Sequence, residues 1–201
     1  MDEGHKIWYC GEDLKHQYGM AFVGRKEVLG NITGCTPISS RLISIQISMR
    51  PHNIKFIQVY VPTSDHEDEE VKHFYEQRDS IIAKTPKKDI LLVQGNWNAK
   101  VSPYAYQHWA GTIGRLGIGK TNDRGWRLRE FAKSHQLTFA NALHPHKLSR
   151  TATWHAPNGQ VHHQIDFILT PQRFQSSINK ADTRSKSRKV FMSGQHSLSA
   201  A

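Results

Sequence analysis

Cysteine is almost absent from this sequence, which has only Cys10 and Cys35 among 201 residues. Two cysteines are too few for the disulfide framework of a small secreted domain, so we expect both to be reduced thiols. No apolar run approaches the roughly 20 residues that cross a bilayer. The first six residues also lack the basic and apolar segments of a secretory signal. These absences predict a nuclear or cytoplasmic protein that is not secreted and has no membrane partner.

Acidic residues are scarce relative to basic ones, with 17 Asp and Glu against 27 Lys and Arg and a net charge of +10. A surplus of this size favours polyanionic partners, nucleic acid before an acidic membrane. Charge contributes affinity and not sequence choice, so it does not identify the ligand. Hydrophobic residues make up 37% of the chain, and the length suits one domain with its own core.

Short apolar runs predict strands along most of the chain. Ile43, Ile45 and Ile47 alternate with polar residues, which is the period of a half-buried strand. One helix is predicted from a cap at Ser64 or Asp65, and a second from about Asn122 to His135. The second helix should turn Trp126, Leu128, Phe131 and Ala132 inward. The predicted strands cover residues 6–10, 19–23, 42–49, 54–61, 89–93, 137–141, 151–154 and 164–170. Strands alternating with two helices predict an α/β fold with a mixed sheet or two sheets.

Two local patterns have competing interpretations. The acidic run 67–70 could hold a metal ion, but carboxylates at the start of a helix are ordinarily stabilised by its dipole, which we favour. Residues 114–121 satisfy the phosphate-binding pattern G-x-x-x-x-G-K-T. Residues 105–110 before it make a poor buried strand, and such a strand is needed to direct the loop at a phosphate. We therefore prefer a glycine-rich surface loop to a nucleotide site.

Several polar residues at or within the predicted strands are candidates for phosphodiester hydrolysis, which needs a water, a cation and donors that hold the phosphate. They are Tyr60, Asn96, Asn98, Asp166 and, near the end, His196. Each also has a structural interpretation when it is taken alone. Tyr60 could be a core residue, the two asparagines could form a turn, and Asp166 could be a buried aspartate bound by backbone donors.

Taken in order, these residues and their neighbours resemble the endonuclease/exonuclease/phosphatase superfamily, and within it the apurinic-type endonuclease domain of non-LTR retrotransposons. The segments that carry the resemblance are 8–11, 58–63, 85–89, 95–101, 122–125, 127–128, 139–141, 153–154, 157–159 and 164–166. The resemblance implies a four-layered α/β sandwich, in which helices flank two mixed sheets. It also implies a DNA endonuclease that uses Mg²⁺.

Carried over by the same resemblance, Tyr60 would contact the scissile phosphate and Asn98 would position that phosphate or the attacking water. Asp166 and His196 would form a carboxylate–imidazole pair that holds a phosphate oxygen. The resemblance also implies carboxylates where this chain has amides. The family has Asp at the position of Asn96, where it orients or deprotonates the water, and a metal-site Asp at the position of Gln195. An amide is neutral and cannot accept a proton.

The resemblance further implies strands that this sequence does not match. They are two N-terminal strands, one ending in a metal-binding Glu, and the last core strand. We therefore expect a partial sandwich at residues 1–179 and a basic, poorly ordered tail at residues 180–201, which carries His196. Together with the amides, this predicts a degenerate endonuclease domain that is catalytically inactive and binds no magnesium.

An inactive nuclease can still bind DNA, or RNA, through a basic face. The candidate residues for such a face are Arg124, Arg127, Lys147, Arg150 and Trp154. The charges could equally be solvated, and Trp154 could be a buried structural indole. Two other functions stay open. One is an active magnesium-dependent endonuclease whose missing strands are supplied elsewhere, and the other is a non-catalytic interaction module.

Overall fold

A computed structural model of the chain describes residues 4–12, 17–63, 68–147, 151–155, 162–184, 187–192 and 198–200. The chain forms two compact units, Met1–Val93 and Gln94–Ala200. Each contains β-strands and one α-helix, so the predicted α/β class is confirmed. The helices of the described ranges are too short or too polar to cross a membrane.

The first unit is built from a hairpin, several sheet strands and a helix. Its elements in chain order are β1 (Lys6–Glu12), β2 (Gln17–Gly24), a 3-10 helix (Lys26–Asn31), β3 (Ile32–Ser39), β4 (Leu42–Ile47), β5 (Ile54–Tyr60), α1 (Asp68–Ala83) and the start of β6 (Ile90–Asn96). Strands β1 and β2 are antiparallel, and β4 is antiparallel to both β3 and β5. Strand β6 lies beside β5.

Strand β4 is more deeply buried than its alternating sequence predicts. Ile43 and Ile45 are buried as expected, but Ser44, which was expected on the solvent side, is only 8% exposed. The reason is that both faces of the strand are covered. Ser44 lies opposite the buried Ile57 of β5, and on the other face Phe22 of β2 contacts Phe56, whose partner in the ladder is Ile45.

Helix α1 confirms the first predicted helix. Val71, Phe74 and Ile82 are its buried apolar residues, and their spacing is that of one helical face. Glu70 lies in the first turn, and its Oε1 accepts a 2.9 Å hydrogen bond from Nε of Arg41. An ion pair at the start of the helix agrees with the structural interpretation of the acidic run. The caps predicted at residues 64 and 65 lie outside the described residues.

The second unit holds most of the remaining elements. They are the end of β6, a 3-10 helix (Pro103–His108), α2 (Asp123–Ser134), β7 (Leu137–Phe139), a 3-10 helix (Ala140–Ala142), β8 (Trp154–His155), β9 (His162–His163), β10 (Asp166–Pro171), a 3-10 helix (Gln172–Ser177), β11 (Ile178–Arg184), β12 (Ser187–Met192) and β13 (Leu198–Ala200). Strand β10 lies between the end of β6 and β7, and it is antiparallel to β7. Strands β8 and β9 form a two-stranded ribbon.

The core of this unit is aromatic and aliphatic. Phe139 and Phe167 are fully buried and make an edge-to-face contact with ring centroids 5.3 Å apart. Leu128, Phe131 and Ala132 of α2 point inward as predicted. Trp126 does not, since it is 48% exposed. At about 100° per residue, position 126 lies roughly 200° round the helix from position 128 and so faces another direction.

The structure assigns antiparallel strands within the segment that was expected to be poorly ordered. Strand β12 pairs with β11 on one side and with β13 on the other. The apolar run Val190–Met192 lies in β12, and a short apolar run bounded by polar residues is typical of a strand. The division of the chain into a domain at residues 1–179 and a tail at residues 180–201 stays a prediction.

Candidate active site

The segment that follows strand β6 alternates between buried and half-buried residues. Trp97, Ala99 and Val101 are each at most 4% exposed, whereas Asn96, Asn98 and Lys100 are only half-buried. Asn98 has a positive φ of 46°, a conformation that asparagine tolerates better than most residues. The backbone turns there, and a row of two amides and an amine is left accessible on one side of the segment.

Trp97 fixes this segment in place. Its backbone N–H donates to the carbonyl oxygen of Ile165 at 2.9 Å, and its indole Nε1–H donates to the carbonyl oxygen of Phe167 at 3.1 Å. The ring also contacts Phe131 of helix α2, with centroids 5.8 Å apart. A buried indole with a satisfied N–H is a rigid anchor, so Asn96 and Asn98 are held beside the start of β10.

Asp166 is the first residue of β10 and is 7% exposed. It was expected inside a strand, but the ladder begins with it, because the backbone just before it is bound to side chains. Thr153 Oγ1 accepts from the N–H groups of both Ile165 and Asp166, at 3.1 and 3.2 Å. Asn141 Nδ2 donates to the Asp166 carbonyl oxygen at 3.2 Å, and Asn141 Oδ1 accepts from the N–H of Ile168.

The structure thus brings three of the five candidate catalytic residues together in the second unit. Asn96 ends β6, Asn98 follows it, and Asp166 begins the neighbouring strand β10. Two supporting residues, Thr153 and Asn141, were not predicted as site residues. The sequence did contain a signal for them, because both lie in segments that carry the superfamily resemblance.

Tyr60 belongs to the first unit, where it ends β5 and is half-buried. Its N–H donates to the Arg41 carbonyl oxygen at 3.1 Å, and the Arg41 guanidinium lies 5.6 Å from its ring centroid. His196, together with Gln195 and Arg150, lies outside the described residues. The roles predicted for these residues stay predictions.

Asn96 uses its side-chain oxygen within its own turn. Oδ1 accepts a 2.8 Å hydrogen bond from the backbone N–H of Asn98, which is a common way for asparagine to stabilise a turn. A carboxamide at this place cannot take up a proton from water. The position that the resemblance assigns to a base is therefore occupied by a neutral residue, and the side-chain oxygen of Asn96 stabilises the loop.

The described residues of this site offer few ligands to the magnesium ion that the resemblance implies, and the absence of bound magnesium in this chain stays a prediction. Mg²⁺ is bound by oxygen ligands, usually one or two carboxylates together with substrate phosphates. Asp166 supplies one carboxylate, and Asn96 has its oxygen engaged by Asn98. Across the described residues there is no group of three or more His, Cys, Asp or Glu side chains placed to hold a metal.

A cationic and aromatic cluster adjoins the loop and was only partly predicted. Lys100 Nζ lies 2.8 Å from His163 Nε2, so the amine donates to a neutral imidazole. The His163 ring stacks on Trp154, with centroids 5.5 Å apart and planes 14° from parallel. Burial, and then the charges of Lys100 and His162, lower the pKa of His163. Lys100 was missed, although it follows Asn96 and Asn98 at the same two-residue spacing.

The residues proposed for a basic face have different environments. Arg127 and Lys147 are exposed, and Arg124 is half-buried on α2. Trp154 is 41% exposed, so the interpretation of this residue as a buried structural indole is wrong. Its exposed face is available for stacking.

The pattern at residues 114–121 is explained by packing. A side chain at Gly114 would place its Cβ 1.8 Å from the Ala142 carbonyl oxygen, so only glycine fits there. At the start of the following helix, the Asn122 N–H donates to the Lys100 carbonyl oxygen and the Asn122 side chain caps Gly125. These groups bind protein atoms, which agrees with a structural loop.

Known proteins were compared with the chain by sequence and by fold. No protein-family model matches it. Craniofacial development protein 2 from Bos taurus is 39% identical over 182 residues, which are 90% of this chain and 30% of that protein. The chain therefore spans about a third of that relative's length.

Solved structures decide the fold. The endonuclease domain of TRAS1, a telomere-specific non-LTR retrotransposon, superposes with a TM-score of 0.60 at 14% identity, covering 89% of this chain and 72% of that one. The AP endonuclease LMAP from Leishmania major gives 0.62 at 11% identity, covering 90% and 66%. The chain has the endonuclease/exonuclease/phosphatase fold. This confirms the fold that the resemblance implied from the ordered set of residues, including Asn96, Asn98 and Asp166.

The endonuclease/exonuclease/phosphatase fold accounts for the arrangement of sheets and helices predicted from the sequence. At identities of 11% to 15% the fold is shared, but residue roles are not transferred by it. Activity and ligand must be argued from the residues of this chain.

Proposed function

We propose that this chain is a nucleic-acid-binding domain, derived from a retrotransposon-type endonuclease, that does not cleave its ligand. The observation that carries the proposal is Asn96. At the end of β6, where the resemblance places a proton-accepting carboxylate, a neutral amide closes its own turn through the 2.8 Å bond to Asn98. The names of the structural neighbours, an endonuclease domain and an AP endonuclease, support a phosphodiester-handling ancestor.

The size of the catalytic loss supports inactivity. Removal of one positioned acid–base group lowers a rate by about 100- to 10,000-fold. Gln195, where the family has a second carboxylate, would further weaken the hold on a cation, because Mg²⁺ sites depend on one or two carboxylates. The two losses affect different parts of the reaction, the activation of water and the neutralisation of the phosphate. We therefore expect no measurable turnover.

Retained binding is supported by the parts of the site that stay accessible. Asn98 and Lys100 are half-buried in the loop after β6, and Trp154 and Arg127 are exposed in the same unit. Amide and ammonium groups donate to phosphate oxygens, and an exposed indole stacks on bases. The net charge of +10 adds long-range attraction for a polyanion.

A nicking assay tests the catalytic half of the proposal. Supercoiled plasmid is incubated with the full chain and Mg²⁺ or Mn²⁺, and conversion to open circles is measured. We expect none. Asn96→Asp should also show none, because Gln195 still replaces a metal-site carboxylate. A double variant with Asn96→Asp and Gln195→Asp shows whether the two amides suffice to explain the loss.

The outcome that overturns inactivity is cleavage by the unmodified chain that disappears in Asp166→Ala. Such a result would identify a working nuclease and would favour the alternative in which a rearranged site or a further segment completes the catalytic residues. Cleavage that persists in Asp166→Ala would identify a contaminating nuclease, and the preparation would then be purified further and assayed again.

A further inference from the structure

Arg129 of helix α2 carries a buried charge without a hydrogen-bond partner. The residue is 1% exposed, and Nε, Nη1 and Nη2 of its guanidinium all lack an acceptor among the described residues. The group is held between two indoles, with its central carbon 4.4 Å from the Trp126 ring centroid and 5.4 Å from that of Trp109. All three residues belong to the second unit.

A buried and charged guanidinium without hydrogen-bond acceptors is unfavourable unless an anion binds to it. Arginine stays protonated in proteins and presents five N–H donors in one plane. The free-energy cost of burying such donors unpaired exceeds the stabilisation that cation–π contacts with the two rings provide. Burial lowers the pKa of Arg129, which is a sign of the same desolvation. The two rings lie over the guanidinium, and its donors, which have no acceptor among the described residues, match the two oxygens of a bidentate oxyanion.

The surroundings favour nucleic acid as the source of that anion. Lys133, one turn further along α2, places Nζ 5.1 Å from the Trp109 ring centroid, so a second cation adjoins the cluster. Trp126 is 48% exposed. Its ring covers Arg129 and has an outer face that a nucleobase can stack on. A cation beside an exposed indole is the arrangement by which proteins bind single strands, whose bases are not paired.

We propose that Arg129, Trp109 and Trp126 form a second nucleic-acid contact, in which Arg129 binds a backbone phosphate of a single strand and Trp126 stacks on the adjacent base. Because the guanidinium is buried, the phosphate reaches it when the Trp126 ring, which is 48% exposed, moves aside towards solvent. The contact rests on the proposed function, because it assumes that the domain binds nucleic acid. A carboxylate of an acidic peptide has the same hydrogen-bonding geometry but brings no ring for Trp126.

The test compares full-length variants by fluorescence anisotropy with a labelled oligothymidylate. Arg129→Met removes the charge at nearly constant length, and Trp126→Ala removes the stacking face. The control is Lys72→Gln, which also removes one positive charge but does so at an exposed position of helix α1. We expect Arg129→Met and Trp126→Ala each to weaken binding by about 10-fold or more, and Lys72→Gln to leave it within about twofold. Inorganic phosphate at high concentration should compete.

A thermal melt of the same proteins separates binding from a structural role. Since Arg129 is buried without a partner, Arg129→Met should melt at the same or a higher temperature while binding is lost. A clear fall in its melting temperature would overturn the proposal, because it would show that the charge supports the fold. Unchanged oligothymidylate binding in Trp126→Ala, in a protein that the melt shows to be folded, would overturn it independently.

Two further outcomes distinguish a failure of this inference from a failure of the proposed function. If the unmodified chain binds DNA and both α2 variants bind it equally well, only the α2 contact is wrong. If the unmodified chain binds no nucleic acid at low salt, the proposed function itself fails. Stronger displacement of the oligonucleotide by polyglutamate than by unlabelled oligothymidylate would also overturn the inference, because it would assign the site to an acidic protein segment.

Discussion

Gly125 shows how a single residue sets the position of the candidate site. It lies in the first turn of α2, where its N–H donates to Oδ1 of the capping Asn122 at 2.9 Å. The same oxygen accepts from the N–H of Lys100 at 2.9 Å. Asn122 therefore joins the start of the helix to the loop that carries Asn98. This junction requires the two backbones to approach closely, which only a residue without a side chain permits.

Replacement of Gly125 by alanine should break this junction. The new Cβ would lie 1.9 Å from the Lys100 carbonyl oxygen, and a backbone atom cannot be moved aside by a change of rotamer. We expect a loss of at least about 2 kcal/mol in the free energy of unfolding, measured by urea denaturation. Gly34→Ala is the control, since a Cβ there has no heavy atom within 4 Å. Equal stability of the two variants would contradict the close approach.

At the scale of elements, the contact of Lys100 with His163 attaches the ribbon β8–β9 to the loop after β6. Lys100 donates to His163, and the Thr153 N–H just before β8 donates to the His163 carbonyl oxygen at 2.9 Å. Thr153 in turn binds the start of β10 through its hydroxyl. The imidazole therefore joins the loop of Asn96 and Asn98 to the strand that bears Asp166, and the contact requires a neutral ring.

Stability should consequently depend on the protonation of His163. Its pKa in the folded chain lies below the ordinary value of 6.5, so the unfolded chain binds the proton more readily. The stabilising contribution is present above the unfolded pKa and is lost as the pH falls through it towards the folded value. Between about pH 8 and pH 5, His163→Asn should show a smaller fall in melting temperature than the unmodified chain does.

The control for this pH dependence is His108→Asn, which removes an exposed histidine from a 3-10 helix. This variant should retain the pH dependence of the unmodified protein, because His108 lies in the 3-10 helix Pro103–His108 and not in the junction of the loop and β10. A pH profile of His163→Asn that overlays the unmodified one would show that the Lys100 contact contributes nothing to stability in this range.

At the scale of the whole molecule, the surplus of 27 basic over 17 acidic residues predicts salt-dependent binding. Each neutralised phosphate of duplex DNA lowers the slope of log K against log salt by about 0.9. We expect duplexes of unrelated sequence to bind with similar affinity, and Lys100→Gln to make the slope shallower by about one unit. Absence of binding to any duplex at low ionic strength would exclude duplex DNA as the ligand of this domain.

Local sequence patterns were sufficient to predict many of the strands and helices, because the periods of these elements depend on neighbouring residues. The alternation at Ile43–Ile47 and the helix that begins after Asn122 follow from the periods of strand and helix. Strand β3 was not predicted, since its residues follow neither period and it exists through pairing with β4. The burial of Ser44 was also missed, because it depends on covering both faces of the sheet.

Some features of the candidate site were likewise predictable from the sequence, and others depended on tertiary contacts. The amide at Asn96 was identified from the sequence, because residue type alone decides whether a group can accept a proton. The engagement of its oxygen by Asn98 and the attachment of Lys100 to His163 depend on turns and on residues 63 positions apart. The direction of Trp126 was predicted wrongly for a different reason, because position 126 lies roughly 200° round the helix from position 128.

The sequence by itself determined the α/β class, the superfamily resemblance and the neutral residue at position 96, since each depends on residue type, order and local period. Only the tertiary structure decided that Asn96, Asn98 and Asp166 lie on adjoining strand ends, that Lys100 and His163 meet, and that Arg129 is buried between two indoles. The physical reason is that proximity, desolvation and hydrogen-bond partnership arise from contacts between residues far apart in the chain.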